Sequence, residues 1–232
     1  MEQGNSLRGT SSIAAEPATD RQPTHRRLNP MLLAIDTSAG TSVAIVDREA
    51  GVLAELSSPD TRGHAEIIGD LIAGVLAESL IEVTALSGVV AGMGPGPFTG
   101  LRVGIAAARA FAFGAGTVVV PVVSHDAVAW AIEDPIVVAT DARRNEVYWS
   151  VYAGLDAAGL PIRTAGPQLA KAAELTVPAG HRLVRADQVS AANLGMVAEL
   201  LYANRRDFAL DEALYLRSPD VTIAAGPKRV TS

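Results

Sequence analysis

The chain has no cysteine among its 232 residues, which excludes a disulfide framework and any thiolate metal site. That absence fits a reducing compartment, and the cytoplasm is the expected location. Aromatic residues are only 4% of the chain. The core that a 49% hydrophobic composition supports must therefore be aliphatic and closely packed. No apolar run approaches the ~20 residues needed to span a membrane. Basic charge is scarce as well: 19 Lys and Arg against 25 Asp and Glu leave a net charge of −6. A nucleic-acid surface that works alone carries a basic stripe, so this composition suits a small-molecule protein or one that reaches nucleic acid through a partner. Histidine is thin too. His25, His64, His125 and His181 lie far apart, and none is spaced i, i+4 from another, the spacing that puts two ligands on one helix face. No Gly-x-Ser-x-Gly elbow is present. His125 adjoins Asp126, but neighbours in sequence rarely face each other as base and orienter.

The chain does contain a dense glycine-proline block. Gly92-Met93-Gly94-Pro95-Gly96-Pro97-Phe98-Thr99-Gly100-Leu101-Arg102-Val103-Gly104 follows a short apolar run and leads into an alanine-rich helical pattern. A glycine-rich turn between a strand and a helix N-terminus is a place where phosphate is often held. A dinucleotide fingerprint from Gly94 would need glycine where Thr99 stands, and a phosphate-binding P-loop would need lysine where Leu101 stands. Pro95 and Pro97 each remove an N–H donor. By spacing, the block is a ligand cradle or a structural strand–helix corner.

Residues 1–30 lack the apolar core of a secretory signal and any sustained period, which predicts a disordered arm. Patterning begins at Met31, the expected start of the folded unit. Leu32 to Asp36 reads as a buried strand, Thr37 to Thr41 as a turn and Ser42 to Val46 as a returning strand. Pro135 to Asp141, the turn Ala142 to Glu146 and Val147 to Tyr152 repeat that plan, again with aspartate ending the first strand. The repetition predicts a duplicated α/β fold with lobes at 31–132 and 133–232. Helices are predicted over His64 to Leu80, Thr99 to Gly114 and Ser190 to Ala203, with Ser190 as an N-cap. The first two carry apolar or small-residue faces wider than one small core requires, as a core or a docking surface would. Asp36 and Asp141 could hold magnesium or a nucleophilic water across a cleft, but the favoured expectation is that each caps its own turn.

Three blocks occur in order: Leu33-Ala34-Ile35-Asp36-Thr37-Ser38, Gly94 to Gly104, and Asp141-Ala142-Arg143-Arg144-Asn145-Glu146-Val147-Tyr148. With the closing Leu214-Tyr215-Leu216-Arg217-Ser218-Pro219-Asp220-Val221, they resemble the TsaB (YeaZ) family of tRNA threonylcarbamoyladenosine biosynthesis proteins over Met31 to Val221. The resemblance implies an α/β, actin-like (ASKHA) fold of two related lobes, each with a mixed sheet and flanking helices. It implies a non-catalytic subunit that docks on a catalytic TsaD-type partner and is joined by a TsaE-type ATPase. That complex modifies the adenosine beside the tRNA anticodon, so tRNA contact is indirect. No cofactor is expected, and weak nucleotide binding belongs to the complex.

The His-x-x-x-His metal motif of the catalytic relative has no counterpart in Pro121 to Ala129, so no metal site is expected. A vestigial nucleotide loop would comprise Asp36, Thr37, Ser38, Gly94, Gly96, Thr99, Gly100 and Asp141. The partner interface is expected on the two wide-faced helices, at Ile67, Ile68, Leu71, Ile72, Val75, Arg102, Ala106, Arg109 and Ala110. The same face would allow a homodimer. An alternative is a small actin-like ATPase or phosphotransferase using Asp36, Asp141 and the Gly94–Gly100 loop. An independently active carbamoyltransferase is disfavoured by the missing histidine pair.

Overall fold

A computed structural model describes residues 31–61 and 63–217. The predicted arm over 1–30 and the signature positions from Ser218 to Val221 lie outside the described residues. Strands β1 (Met31–Asp36), β2 (Thr41–Asp47) and β3 (Gly51–Ser58) form an antiparallel meander. β4 (Leu86–Gly92) and β5 (Val118–Val122) extend it in parallel, giving the order β3-β2-β1-β4-β5. The second sheet repeats the plan. β6 (Ile136–Asp141), β7 (Glu146–Leu155) and β8 (Pro161–Lys171) form a meander, and β9 (Arg182–Ala186) joins β6 in parallel, in the order β8-β7-β6-β9. The duplication extends to register: Asp36 sits opposite Ser42, and Asp141 opposite Val147. These two related mixed sheets with flanking helices are the actin-like architecture.

The continuous apolar runs are explained by a first sheet covered on both faces. Leu33, Ile35, Val43, Ile45, Val89 and Ala91 point one way, into a core with α1 (His64–Ser79) and α2 (Phe98–Ala115). Leu32, Ala34, Ala44, Val46 and Val90 point the other way, against α4 (Ala191–Ala203) and Ala127 of α3 (Ser124–Val128). A smaller core joins Ala129, Ile136, Val138 and Tyr152.

The helix α4 departs from a division of the chain at 132/133. It belongs to the second half by sequence but packs on the first sheet. Its N-terminus explains the placement. Glu55 of β3 accepts hydrogen bonds from Ser42 Oγ (2.9 Å), Ser190 Oγ (2.8 Å) and the Ala192 N–H (3.2 Å). A carboxylate is thus held at the positive end of the helix. Ser190 caps it as expected, accepting from the Asn193 N–H at 3.1 Å.

Candidate functional site

The first hairpin turn, the glycine-proline block and the N-terminus of α3 meet at Asp36. The residue ends β1 with its side chain 1% exposed. Its Oδ1 accepts from the Ser38 N–H (2.8 Å) and Ser38 Oγ (2.5 Å), the turn-capping arrangement favoured from sequence. Its Oδ2 accepts from Ser124 Oγ at 2.5 Å. Ser124 also accepts from the Gly94 N–H (3.0 Å) and donates its own N–H to the Gly94 carbonyl (2.8 Å). Burial pushes the Asp36 carboxyl above its ordinary value, while the bonds from Ser124 and Ser38 pull it down.

The glycines of the block serve this contact. A Cβ on Gly104 would stand 2.2 Å from Thr37 Oγ1, and one on Gly96 would stand 2.8 Å from the Ser38 carbonyl oxygen. Thr37 exploits the closeness: its Oγ1 donates to the Gly100 carbonyl (2.7 Å) and accepts from the Gly104 N–H (3.1 Å). Gly92 and Gly100 approach Asp36 and Thr37 as tightly. The glycines of the block thus lie directly against the backbone of Thr37 and Ser38 and against the side chains of Asp36 and Thr37. Asp36, Thr37, Ser38, Gly94, Gly96 and Gly100 are buried together in a strand–helix corner, with Thr99 exposed at its rim.

His64, at the first position of α1, closes the corner through a hydrogen bond between its Nδ1 and Thr41 Oγ1 (2.6 Å). Burial of its ring lowers its pKa, against the raising pull of Asp60. Sequence reasoning did not pair either residue with the block, because neither partner is local.

Asp141 is exposed and accepts only from the Arg143 N–H (2.9 Å) among its described hydrogen bonds. Each aspartate therefore caps its own turn. The second turn is unlike the first, because Arg143, Arg144 and Asn145 are all left-handed, with φ of 63°, 52° and 61°. Three consecutive non-glycine residues there are costly, and such geometry persists only where the surroundings impose it. Here they do: Asn145 O accepts from the Ala172 N–H (2.8 Å), and Arg217 Nη1 donates to the Ala142 carbonyl (2.8 Å) while lying 3.5 Å from Glu146 Oε2.

His125 and Asp126 face different partners. His125 lies between Ser150 Oγ (2.8 Å) and Thr140 Oγ1 (3.0 Å), and burial lowers its pKa to about 3, which keeps the ring neutral. Asp126 accepts from Tyr152 Oη at 2.7 Å. Among the described residues, no group of three or more His, Asp or Glu side chains is placed to hold a metal ion.

The expected interface residues separate. Ile68 and Val75 are buried in the core and are corrected to core positions, since the α1 face they occupy is used up against the first sheet. Ile67 is half-buried; Leu71 and Ile72 are half-buried and pack on the same core. Arg102, Ala106, Arg109 and Ala110 are exposed on α2, in line with Phe113, which is 90% exposed. Arg109 is tied to Asp211 Oδ1 at 2.8 Å. The segment carrying Asp211 also donates the Leu214 N–H to the Met93 carbonyl (2.8 Å) and sets Tyr215 on Phe98, with ring centroids 4.8 Å apart.

Comparison with known proteins places this architecture. The family model described as "TsaD: tRNA N6-adenosine threonylcarbamoyltransferase" matches residues 35–208. An uncharacterized protein of Mycobacterium tuberculosis is 37% identical over 197 residues, which is 82% of this chain and 92% of that one. The tRNA threonylcarbamoyladenosine biosynthesis protein TsaB of Haemophilus influenzae is 38% identical over 128 residues, 53% of each chain. The structure of YeaZ from Pseudomonas aeruginosa superposes with a TM-score of 0.68 at 25% identity, covering 81% of this chain and 100% of that one.

Proposed function

The chain belongs to the family of the TsaD and TsaB (YeaZ) proteins, and from that premise we propose that it acts in tRNA threonylcarbamoyladenosine biosynthesis as a non-catalytic partner subunit. The observation that carries this reading is the closely packed corner at Asp36. The turn that an actin-like ATPase would use for phosphate lies directly against the glycine-proline block, and its carboxylate accepts hydrogen bonds from Ser38 and Ser124. What the chain offers instead is the exposed stripe of α2, where Ala106 and Ala110 allow close approach between Arg102, Arg109 and Phe113.

On this reading the stripe docks on a TsaD-type catalytic subunit in the cytoplasm, and the pair presents a joint surface to a TsaE-type ATPase. tRNA is reached only through the complex. Any nucleotide contact is made in the assembled complex, and a homodimer through the same stripe forms when the partner is absent. An aliphatic patch with arginine and phenylalanine anchors is a composition that supports tight binding without a catalytic residue.

Mass spectrometry of tRNA nucleosides after depletion of the protein tests the pathway. Threonylcarbamoyladenosine should fall and be restored by a copy starting at Met31. Unchanged modification after verified depletion overturns the proposal and favours the ATPase reading. For the surface, Ala110→Trp should weaken binding to the TsaD-type subunit by at least about tenfold with an unchanged melting temperature. Equal affinity would remove α2 from the interface.

A further inference from the structure

On the face of the first sheet opposite α1 and α2, a cavity of about 320 Å³ opens between α4 and β5. Leu32, Val118, Val120, Ala198, Tyr202 and Phe208 make its wall largely apolar. Ser87 also lines it, with its hydroxyl spent on the Met31 carbonyl (3.1 Å), and Glu199 is the wall residue that does not fit. Glu199 is 1% exposed, and neither of its carboxyl oxygens has a hydrogen-bond partner among the described residues. Buried carboxyl groups are ordinarily paired, because an unpaired one forfeits its hydration for nothing. Nearby groups among the described residues do not supply the pair. The charges felt at Glu199 are those of Arg48, in the β2–β3 turn, and Asp47, at the end of β2, and they oppose each other.

We infer that this cavity is a binding site for an organic ammonium: a molecule with an apolar body and one protonated amine, whose charge Glu199 pairs. The wall suits both parts. The aliphatic side chains take the hydrocarbon, while Tyr202 and Phe208 offer aromatic surface beside a cation. An alcohol of equal shape brings no charge for the carboxylate. The site shares no residue with the Asp36 corner or the α2 stripe, so it stands or falls separately from the proposed function.

The test uses the full chain with phenethylamine and its isostere 2-phenylethanol, read by calorimetry and by the methyl NMR signals of Leu32, Val118 and Val120. Saturable binding of the amine at least tenfold tighter than the alcohol is expected, with shifts confined to those methyls. Glu199→Gln should abolish the preference for the amine. Val118→Trp, at a position 63% exposed on the edge strand, should block both probes without touching the carboxyl, which covers the case in which the first variant fails to fold. Amine binding should also weaken as the pH falls through about 7, where Glu199 takes up a proton; Asp47, Arg48 and Tyr202 are the other titratable groups near the site among the described residues. Equal affinity for amine and alcohol, an amine preference that survives Glu199→Gln, shifts located elsewhere, or no binding of either probe would each overturn the inference.

Discussion

At Gly104 an added methyl would meet Thr37 Oγ1 at 2.2 Å and two further Thr37 carbons at 3.1 Å, in a place where both residues are buried. Gly104→Ala should therefore destabilise the fold by about 1–3 kcal/mol, as overpacking does. Gly114→Ala, in the same helix but with nothing within 4 Å, should stabilise it by about 0.5–1 kcal/mol through backbone entropy and helix propensity. Urea titrations of the two variants separate the glycines that fit from those that merely occur. Glu199 gives a pH signature on the same scale. Its folded pKa of about 7 lies above the ordinary 4.5, so the folded chain binds the extra proton between these values and loses stability as pH rises through them. The stability of Glu199→Gln relative to the parent should thus grow between pH 4.5 and 7, on the order of 1–3 kcal/mol. His125 runs the other way. Its pKa, lowered to about 3, costs the fold stability as pH falls from 6.5, and this contribution cancels in the comparison.

The helices show how side-chain chemistry at their ends fixes where they lie. α4 is anchored less by its own sequence than by Glu55 and Ser42 of the first sheet, which meet the open N–H groups of its first turn. Ser190→Ala removes the cap to Asn193 and the bond to Glu55 together. A loss of about 1–2 kcal/mol is expected in denaturant melts, and a loss below about 0.3 kcal/mol would mean that Glu55 and Ser42 hold the helix end without the cap. α2 behaves differently. One face is consumed by Leu101, Ile105, Ala108 and Ala112 in the core, and the opposite face is left to solvent.

Across the whole molecule, the segment 207–217 acts as a strap. It crosses β5 through the Ala209 N–H to the Pro121 carbonyl, reaches the glycine-proline block at Met93, and ends with Arg217 on the second hairpin turn. The exposed Arg109–Asp211 pair adds little, since both side chains are about half in water. Arg217 is only 22% exposed and meets both a carbonyl and a carboxylate, so it matters more. Arg217→Ala should release the strained turn, lowering hydrogen-exchange protection at residues 143–146 with little change at Met93. Unchanged protection at that turn would show that Asn145 and Ala172 hold it unaided.

Several features were legible in the sequence because their causes are local. The near-continuous burial of β1, β2 and β4, the three long helices and the aspartate-capped turns follow from residues within a few positions of one another. The repeated strand–turn–strand plan likewise revealed the duplicated sheets. β8 is hard to read from sequence because it is a half-exposed edge strand whose pairing with β7 slips register three times, and bulges erase a period of two. Only the tertiary structure could decide that Ser124, 88 positions away, completes Asp36, that α4 returns to the first sheet, and that Ile68 and Val75 belong to the core rather than to a surface. The stranded carboxyl of Glu199 is likewise visible only once the fold has closed around it. Propensity and period act between neighbours in the chain, whereas hydrogen-bond completion and burial depend on which distant segments the closed sheet brings together.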